Sequence, residues 1–302
     1  MILIIIIEKM KILFFGSNGW IGKQFIEYLN KIKNNNNNNE ITVIETNVRA
    51  DNEILVEDII IAHSPTHIIS FIGRTHGEGF NTIDYLEQEG KLVDNIRDNL
   101  YSPVVLSHLC NKYNIHYTYL GTGCIFNRNN PEDYEYREDD RPDFFGSSYS
   151  IVKGFTDRIM HLYKNKTLNL RIRMPIVNYN HPRNFITKIT NYEKICSMPN
   201  SMTVLNDFYP IIYDMMKKEI TGTFNMCNKG LISHNEILEM YREIVNSDFK
   251  WNNFTIEEQN SILSSKRSNN YLSTNKLKEF GYDIPDIKES IRNALLQMKQ
   301  EQ

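Results

Sequence analysis

Three glycines follow the first apolar segment of the fold and constrain it more than any other feature. Gly16, Gly19 and Gly22 form a GxxGxxG pattern between the apolar run 11–15 and the amphipathic stretch 20–32. These two stretches predict a strand and a helix joined by a tight turn. Glycines at such a turn let the backbone approach a pyrophosphate, which the free N–H groups of the helix N-terminus then bind. The pattern is weak alone, but in this position it predicts dinucleotide binding.

Strands and helices alternate along the first part of the chain. We expect further strands at about 41–45, 67–72, 115–120 and 168–173, and helices at 53–62, 149–163 and 82–113, the last broken near Gly90 and Pro103. This alternation predicts an α/β protein with a parallel, doubly wound sheet of the Rossmann type. We assign residues 10–175 to this dinucleotide-binding domain.

The pattern becomes more helical and less regular after Pro175. Residues 223–226 predict a strand that returns to the sheet, and Ser233 and Glu236 have the spacing of a capping box at the start of a helix. We therefore interpret residues 176–302 as mainly a smaller, substrate-binding domain.

Composition excludes several classes of function. The formal net charge of −3 over 302 residues gives no support for binding nucleic acid or a membrane surface. The apolar run 2–7 is too short to span a bilayer and lacks the features of a signal peptide, and Met10 also qualifies as a start. The four cysteines show no CxxC spacing, so we predict no metal site, no disulfide framework and a cytosolic location. The asparagine tract 34–39 predicts an inert surface loop.

Two charges near the end of the second predicted strand bear on the choice of cofactor. Glu45 would hold the ribose hydroxyls of NAD, whereas Arg49 would meet the 2′-phosphate of NADP, and both also fit ordinary loop charges. We expect NADPH, and NADH stays open. The other cofactor contacts, placed by analogy with this type of fold, are Trp20, Ile21, Asp58, Ile59, Gly73, Arg74 and Pro175.

A threonine, a tyrosine and a lysine form the predicted reaction centre. Thr122 follows the strand at 115–120, while Tyr149 and Lys153 lie one turn apart on the next helix, where both would also contact the cofactor. We expect the ammonium of Lys153 to lower the pKa of Tyr149 from about 10 towards neutrality. The phenol could then protonate a carbonyl oxygen that Thr122 also binds. Tyr213 and its lysine four residues on share this spacing without a strand-end hydroxyl before them, so we interpret that pair as structural.

The residues after Thr122 allow a resemblance to be stated. A nucleotide-sugar 4,6-dehydratase would carry Asp-Glu there, and this chain carries Gly123 and Cys124. With the tyrosine and lysine, the arrangement resembles an extended short-chain dehydrogenase/reductase, and a cysteine at this offset resembles GDP-fucose synthase. From about Met10 onward the chain is most similar to plant-type nucleotide-rhamnose synthases/epimerase-reductases. The segments that carry this similarity are 19–22, 122–126, 146–150, 171–176, 182–189, 199–202, 233–241 and 267–270.

The resemblance implies conversion of a UDP- or dTDP-linked 4-keto-6-deoxyglucose to the L-rhamnose nucleotide sugar. The ketone at C4 acidifies the protons on C3 and C5, and inversion requires a proton to leave one face and return to the other. The family's cysteine and lysine correspond to Cys124 as the base and Lys188 as the acid. Thr122 and Tyr149 would stabilise the enolate oxygen and then the alkoxide, so that one arrangement serves both steps.

The same resemblance indicates the substrate side of the site. Arg183 and Arg267 would bind the diphosphate, because Arg forms bidentate contacts with phosphate, and Asn184 and Lys188 would also contact the substrate. The keto sugar is expected from a separate 4,6-dehydratase. A homodimer is the assembly considered, although the sequence does not establish the oligomeric state or the nucleotide.

Two other functions stay open at this point. A simple 4-reductase would need a separate epimerase, and a non-catalytic regulatory subunit would bind a dinucleotide without turnover. Retention of Thr122, Tyr149 and Lys153 argues against the second alternative, because a binding module has no need of an acid–base relay.

Overall fold

The computed structural model describes residues 9–35, 41–127 and 134–300. Its strands are β1 (Met10–Phe15), β2 (Ile41–Thr46), β3 (His67–Ser70), β4 (His116–Thr122), β5 (Glu135–Tyr136), β6 (Thr167–Ile172), β7 (Pro175–Ile176), β8 (Lys194–Ile195), β9 (Thr203–Val204), β10 (Gly222–Asn225), β11 (Asn252–Asn253) and β12 (Tyr271–Leu272). Its α-helices are α1 (Trp20–Asn35), α2 (Glu53–His63), α3 (Lys91–Ile96), α4 (Ser102–Lys112), α5 (Ser148–Leu162), α6 (Phe185–Thr190), α7 (Leu205–Lys217), α8 (His234–Ile244), α9 (Ile256–Ile262), α10 (Asn275–Glu279) and α11 (Ile287–Gln300). The apolar run 2–7 and most of the asparagine tract lie outside the described residues.

The central sheet is parallel, with the strand order β10-β6-β4-β3-β1-β2. The chain winds outward from β1 in both directions, so the strand order reverses between β1 and β3. In such sheets a ligand binds in the crevice outside the carboxyl ends of the strands at the reversal. Phe15 pairs with both Thr46 and Ser70, which brings the turns after three strands to one edge. The predicted α/β, doubly wound fold is confirmed.

Helices cover both faces of this sheet because the strand side chains alternate. In β1, Phe14 packs with α1 and α7 in one core, while Leu13 and Phe15 pack with α2 and α4 in the core on the other face. This period of two is typical of a strand, and burial on both faces explains why β1 is almost continuously apolar.

A further core lies beyond β6, among α6, α8 and α11. Ile186, Leu238 and Leu295 are fully buried within it. The helix α7 belongs instead to the sheet core, and β10 joins the sheet beside β6 as the predicted returning strand. The division of the chain into two domains near residue 175 stays a prediction. The sequence indicated that one later strand returns to the sheet, and the structure shows that α7 also packs on it.

The helical region predicted for residues 82–113 has one of its two expected breaks. A 3-10 helix (Ile83–Glu87) ends before Gly90. Gly90 has a φ of 78° and is the residue directly before α3. The break predicted at Pro103 is wrong, since the chain stays helical through a π-helical turn (Arg97–Tyr101) into α4. Proline fits the first turn of a helix, and the carbonyl of Asn99 that it leaves without a backbone partner accepts a hydrogen bond from Thr156 at 2.6 Å.

Capping follows the sequence at the start of α8. Ser233 accepts a hydrogen bond from the backbone of Glu236, whose carboxylate binds the Ser233 backbone, so the predicted capping box is confirmed. Across the described ranges, the structure holds no helix whose length and apolar character would let it cross a membrane.

Candidate active site

The glycine turn between β1 and α1 has a geometry that only glycine accommodates. Gly16 has a φ of 83°, and a Cβ atom on it would lie 2.8 Å from the carbonyl carbon of Phe71. A Cβ atom on Gly22 would lie 2.2 Å from the carbonyl oxygen of Gly16. Gly19 donates its N–H to that same oxygen at 3.1 Å. The bare backbone therefore forms a cradle of the kind that a pyrophosphate requires at a helix N-terminus.

A pocket of about 390 Å³ opens at this turn, at the reversal point of the sheet. Of the predicted cofactor residues, it is lined by Gly16, Arg49, Gly73 and Arg74. Its position and its glycine wall fit a nicotinamide dinucleotide, with the adenosine end beside the loop after β2.

Two arginines line this pocket, and neighbouring aspartates partly neutralise their positive charge. Arg49 pairs with Asp51 at 2.8 Å and with Asp98 at 3.3 Å, while Arg74 pairs with Asp98 at 2.6 Å. Arg49 is 57% exposed, so it can turn to a ligand. Glu45, the acidic residue expected to favour NAD, is exposed on β2 and does not line the pocket.

Some predicted cofactor residues lie elsewhere. Asp58 is exposed in the middle of α2, and Ile59 packs against the sheet core; neither lines the pocket, and their contact with adenine stays a prediction. Trp20 donates to the hydroxyl of Tyr179 at 3.2 Å, and Pro175 begins β7. Neither these two residues nor Ile21, which packs against the sheet core, lines the pocket, and their roles stay predictions.

The thiol, hydroxyl and phenol of the predicted reaction centre lie together at the end of β4. Thr122 accepts a hydrogen bond from the backbone N–H of Cys124 at 3.1 Å, and a side-chain hydrogen bond joins Thr122 to Tyr149. The side chains of Cys124 and Tyr149 pack into one cluster with Tyr85 and Leu86 of the 3-10 helix. Residues 124 and 149 therefore border the same space.

The electrostatics of Tyr149 differ from the expectation. Burial, followed by the interaction with Cys124, raises the pKa of Tyr149, and the hydrogen bond to Thr122 acts in the opposite direction. The predicted lowering by Lys153 is wrong here, because its ammonium is directed to Tyr119 instead of the phenol. The phenol of Tyr149 therefore keeps its proton near neutral pH.

Lys153 is buried beneath the tyrosine, with 3% of its surface exposed. Its Nζ donates to the hydroxyl of Tyr119 and to the carbonyl of Leu120, the latter at 3.4 Å. Burial lowers the pKa of Lys153 to about 7, although the carboxylate of Asp157 opposes this effect. Asp157 is itself paired with the buried Arg171 at 2.7 Å. Lys153 can therefore gain and lose a proton near neutral pH.

The cations predicted for the substrate side form one group. Arg267 pairs with Asp84 of the 3-10 helix, and Lys188 donates to the carbonyl of Asn81 at 3.4 Å. Burial, and then the charges of Arg183 and Arg267, lowers the pKa of Lys188. These cations therefore border residues 81–84, and the next two residues, Tyr85 and Leu86, pack against the reaction centre. The positive charge of the group suits a diphosphate.

Asn184 does not fit its predicted contact with the substrate. Its side chain is fully buried, and its amide donates to the carbonyls of Val177 and Tyr179 at 3.0 and 2.8 Å. Its oxygen accepts from the backbone of Ile186 at 3.3 Å as the N-cap of α6. Both ends of the amide are therefore committed to the backbone, and the residue positions the helix that carries Lys188.

Several residues of the site escaped the sequence analysis. Asn18, Asp51 and Asp98 line the dinucleotide pocket, and Tyr85 and Tyr119 contact the reaction centre. Asn18 stands within the glycine pattern and Asp51 two residues after Arg49, so their positions in the sequence could have indicated them. No local pattern marks the two tyrosines, which reach the site only through the fold.

The dinucleotide pocket and the reaction centre open at the same edge of the parallel sheet, which places the protein among the extended short-chain dehydrogenases/reductases. Comparisons with known proteins narrow this class. The chain belongs to the family of nucleotide-rhamnose synthases with epimerase and reductase activities. No family model matches the sequence.

Two relatives, one of them also known as a crystal structure, carry this assignment. Protein L780 of Acanthamoeba polyphaga mimivirus is 51% identical over 296 residues, which cover 97% of this chain and 100% of that protein. The crystal structure of L780, described as a UDP-rhamnose synthase, covers 96% of this chain with a TM-score of 0.91. The bifunctional dTDP-4-dehydrorhamnose 3,5-epimerase/dTDP-4-dehydrorhamnose reductase of Arabidopsis thaliana is 37% identical over 290 residues, covering 94% of this chain and 92% of that protein.

A longer plant relative contains a region similar to nearly all of this chain. A trifunctional UDP-glucose 4,6-dehydratase/UDP-4-keto-6-deoxy-D-glucose 3,5-epimerase/UDP-4-keto-L-rhamnose-reductase of Arabidopsis thaliana is 37% identical over 296 residues. The match covers 94% of this chain but only 41% of that protein.

Proposed function

We propose that the protein is a bifunctional 3,5-epimerase/4-reductase, which converts a UDP- or dTDP-linked 4-keto-6-deoxy-D-glucose to the L-rhamnose nucleotide sugar. The observation that carries this proposal is that Cys124 packs into the same cluster as Tyr149, at the end of β4, and interacts with it electrostatically. Reduction of a ketone needs a hydride and one proton donor such as the phenol, whereas inversion of a neighbouring carbon also needs a base beside the same ketone. The activities named for L780 and for the plant relatives support it.

Epimerisation would use groups on two sides of the sugar ring. Cys124, as a thiolate, would remove a proton from C3 or C5, and the electron pair would delocalise onto the C4 oxygen as an enolate. Thr122 and Tyr149 would stabilise that oxygen by hydrogen bonds. Lys188 would return a proton to the opposite face, and its lowered pKa brings that transfer closer to neutral pH.

Reduction would then use the same oxygen-binding groups. The bound dinucleotide supplies a hydride to C4. Tyr149 would donate its phenolic proton to the C4 oxygen while Thr122 holds that oxygen in place. Lys153, whose Nζ contacts Tyr119 and whose pKa is about 7, would supply a proton to this site near neutral pH.

NADPH is the proposed cofactor. Arg49 lines the pocket and can reach a 2′-phosphate, whereas Glu45 is exposed away from it. We expect Arg49→Ala to raise the KM for NADPH about tenfold, the equivalent of ~1.4 kcal/mol, and to leave the KM for NADH nearly unchanged. Glu45→Ala, the matched control, should alter neither value. Equal losses with both cofactors after Arg49→Ala would contradict the choice of NADPH.

The activity can be tested in D₂O with NADPH and each of the two nucleotide-linked keto sugars. We expect NADPH oxidation and an L-rhamnose product that carries deuterium at C3 and C5. Cys124→Ala should abolish the exchange, while Cys196→Ala, a substitution of a thiol elsewhere in the chain, should retain it. No NADPH oxidation with either sugar would refute the proposal, and unaltered exchange in Cys124→Ala would remove the thiol from the mechanism.

The same assay separates the two alternatives. A 4-reductase alone would oxidise NADPH only with the sugar already epimerised and would incorporate no deuterium. A regulatory subunit would bind NADPH without turnover of any keto sugar.

We also propose that the keto sugar is supplied by a separate 4,6-dehydratase. The Gly123-Cys124 pair stands where a dehydratase would carry its acid–base pair, so this site lacks those groups. Incubation with UDP-glucose or dTDP-glucose and NAD should therefore yield no keto sugar, whereas addition of a 4,6-dehydratase should lead to rhamnose product. Keto sugar formed by this protein alone would contradict a separate supply.

A further inference from the structure

Arg173 is a buried cation that has no carboxylate partner among the residues that the structure describes. Its side chain is 1% exposed, and its Nη2 donates to the Asn200 side chain at 2.9 Å and to the Ser268 carbonyl at 2.8 Å. Both acceptors are neutral, and its Nε and Nη1 have no partner within the described part of the chain. Burial of a charge without compensation is costly. The arginine two residues earlier, Arg171, is equally buried but pairs with Asp157.

The groups beside Arg173 that can become anions are two thiols. Burial lowers the pKa of Arg173, and the interactions with Cys124 and Cys227 act in the opposite direction. The stem of Arg173 packs directly against Gly123, since a Cβ atom there would lie 3.0 Å from its Cγ. The stem of Arg173 therefore lies against the turn that carries Cys124.

One of the two thiols is unsuited to ionise. Cys227 is fully buried among apolar side chains and accepts a hydrogen bond from Thr203 at 3.7 Å. Burial raises the pKa of Cys227 to about 12. Cys124 is partly exposed and borders the reaction centre, so a thiolate there would be the counter-charge that Arg173 lacks.

Other titratable groups face Cys124 from three elements. Tyr149 and Lys153 interact with it from α5, Tyr85 packs against it from the 3-10 helix, and Cys227 interacts from behind. Burial raises the pKa of Tyr149 and of Cys227, so both are neutral near pH 7, and the charge of Lys153 varies there because its pKa is about 7. A guanidinium stays protonated throughout this range, so Arg173 is the one constant positive charge among these groups.

We propose that Arg173 is a positioning residue that stabilises the thiolate of Cys124 from behind the β4 turn. Its effect on epimerisation rests on the proposed function, in which Cys124 is the base. Its effect on the thiol itself does not, because a nearby cation favours the thiolate whether or not the protein turns over a sugar.

The direct test is alkylation of Cys124 by iodoacetamide as a function of pH, followed by peptide mass spectrometry without substrate. Arg173→Gln keeps an amide donor for Asn200 and Ser268 but removes the charge, whereas Arg173→Lys keeps the charge. We expect the glutamine variant to shift the alkylation midpoint upward by about one pH unit and to slow alkylation at pH 7 about tenfold. The lysine variant should stay close to the wild type. A purely structural role predicts the reverse order.

Two further variants keep the test decisive. Should Arg173→Gln fail to fold, Arg173→Met replaces the buried charge with an apolar side chain, which proteins often tolerate, and should show the same upward shift. Cys227→Ala should leave the midpoint of Cys124 unchanged. An unchanged midpoint in folded Arg173→Gln or Arg173→Met would overturn the proposal. A large shift in Cys227→Ala would also overturn it, by assigning the charge to the other thiol.

Catalysis provides the second readout. Arg173→Gln should lose about tenfold of the deuterium exchange at pH 7 and recover it at higher pH, while reduction of the already epimerised keto sugar stays within twofold. Absence of exchange in the wild type would refute the proposed function and leave the alkylation result standing. Equal losses of exchange and reduction at every pH would contradict a role confined to the thiol.

Discussion

Two tyrosine–lysine pairs with the same spacing lie on different helices and have different surroundings. On α5, Tyr149 and Lys153 are 8% and 3% exposed and face the end of β4. On α7, Tyr213 packs partly against the sheet core and Lys217 is exposed. The spacing places each pair on one helix face, and on α5 burial beside a strand end lowers the pKa of the lysine.

Each helix also carries an aspartate, and the same contrast holds. Asp157 on α5 is paired with the fully buried Arg171, whereas Asp214 on α7 is paired with Lys218, which is 58% exposed. Burial tends to raise the pKa of Asp157, but the Arg171 guanidinium outweighs it and holds the pKa well below the usual range. The burial of a tyrosine–lysine pair, and not its spacing alone, therefore determines the chemistry that its side chains can perform. The pair on α7 serves as a control for the pair on α5.

The largest difference should appear in the tyrosines. We expect Tyr149→Phe to lower the rate of NADPH oxidation with the keto sugar by about 10²–10⁴-fold, because it removes the proton donor and keeps the ring. Tyr213→Phe should change this rate less than about twofold, within the small range of substitutions away from the site. Some deuterium exchange should survive in Tyr149→Phe, since Cys124 is retained. Similar rates for the two variants would end the comparison.

The aspartates should differ in stability. Asp157→Asn leaves Arg171 charged and buried without a counter-charge, so we expect the free energy of unfolding to fall by about 3–5 kcal/mol. Urea denaturation followed by circular dichroism measures this change. A loss below about 1 kcal/mol would mean that the surroundings of Arg171 compensate its charge without the carboxylate.

The lysines should differ in how stability depends on pH. The pKa of Lys153 in the native state is about 7, below the ordinary value of 10.5, so between these values the unfolded chain holds a proton that the native state lacks. Stability from this group therefore rises with pH across that window, by at most ~1.4 kcal/mol per pH unit. Lys153→Met should remove this slope, and Lys217→Met should leave it in place. An identical slope in both variants would assign it to another group.

The smallest effect is expected at the exposed pair on α7. Asp214→Asn should lower the free energy of unfolding by less than about 1 kcal/mol, because water and salt already screen its pair with Lys218. The loss should shrink further when urea denaturation is repeated at about 1 M salt. A loss as large as that of Asp157→Asn would show that exposure does not separate the two helices.

Local pattern was sufficient for most of the fold. The strands β1, β4 and β6 and the helices α1, α2 and α5 lie within a few residues of their predicted bounds, because each buries a face with a clear period. The pattern misjudged Pro103, whose effect depended on Thr156 supplying a bond from another helix. Periodicity by itself also could not indicate Asp51, which lines the pocket, since a period reports which face of an element is buried and not which loop reaches the pocket.

For the site, the chain order alone was enough to indicate the glycine turn and the group of Thr122, Tyr149 and Lys153, since these depend on short spacings at the ends of regular elements. The direction of Lys153 towards Tyr119, the capping role of Asn184 and the isolation of Arg173 became visible only in the folded chain. Each of these depends on partners far apart in sequence, which the sheet and the packing around it bring together. No spacing rule encodes such encounters.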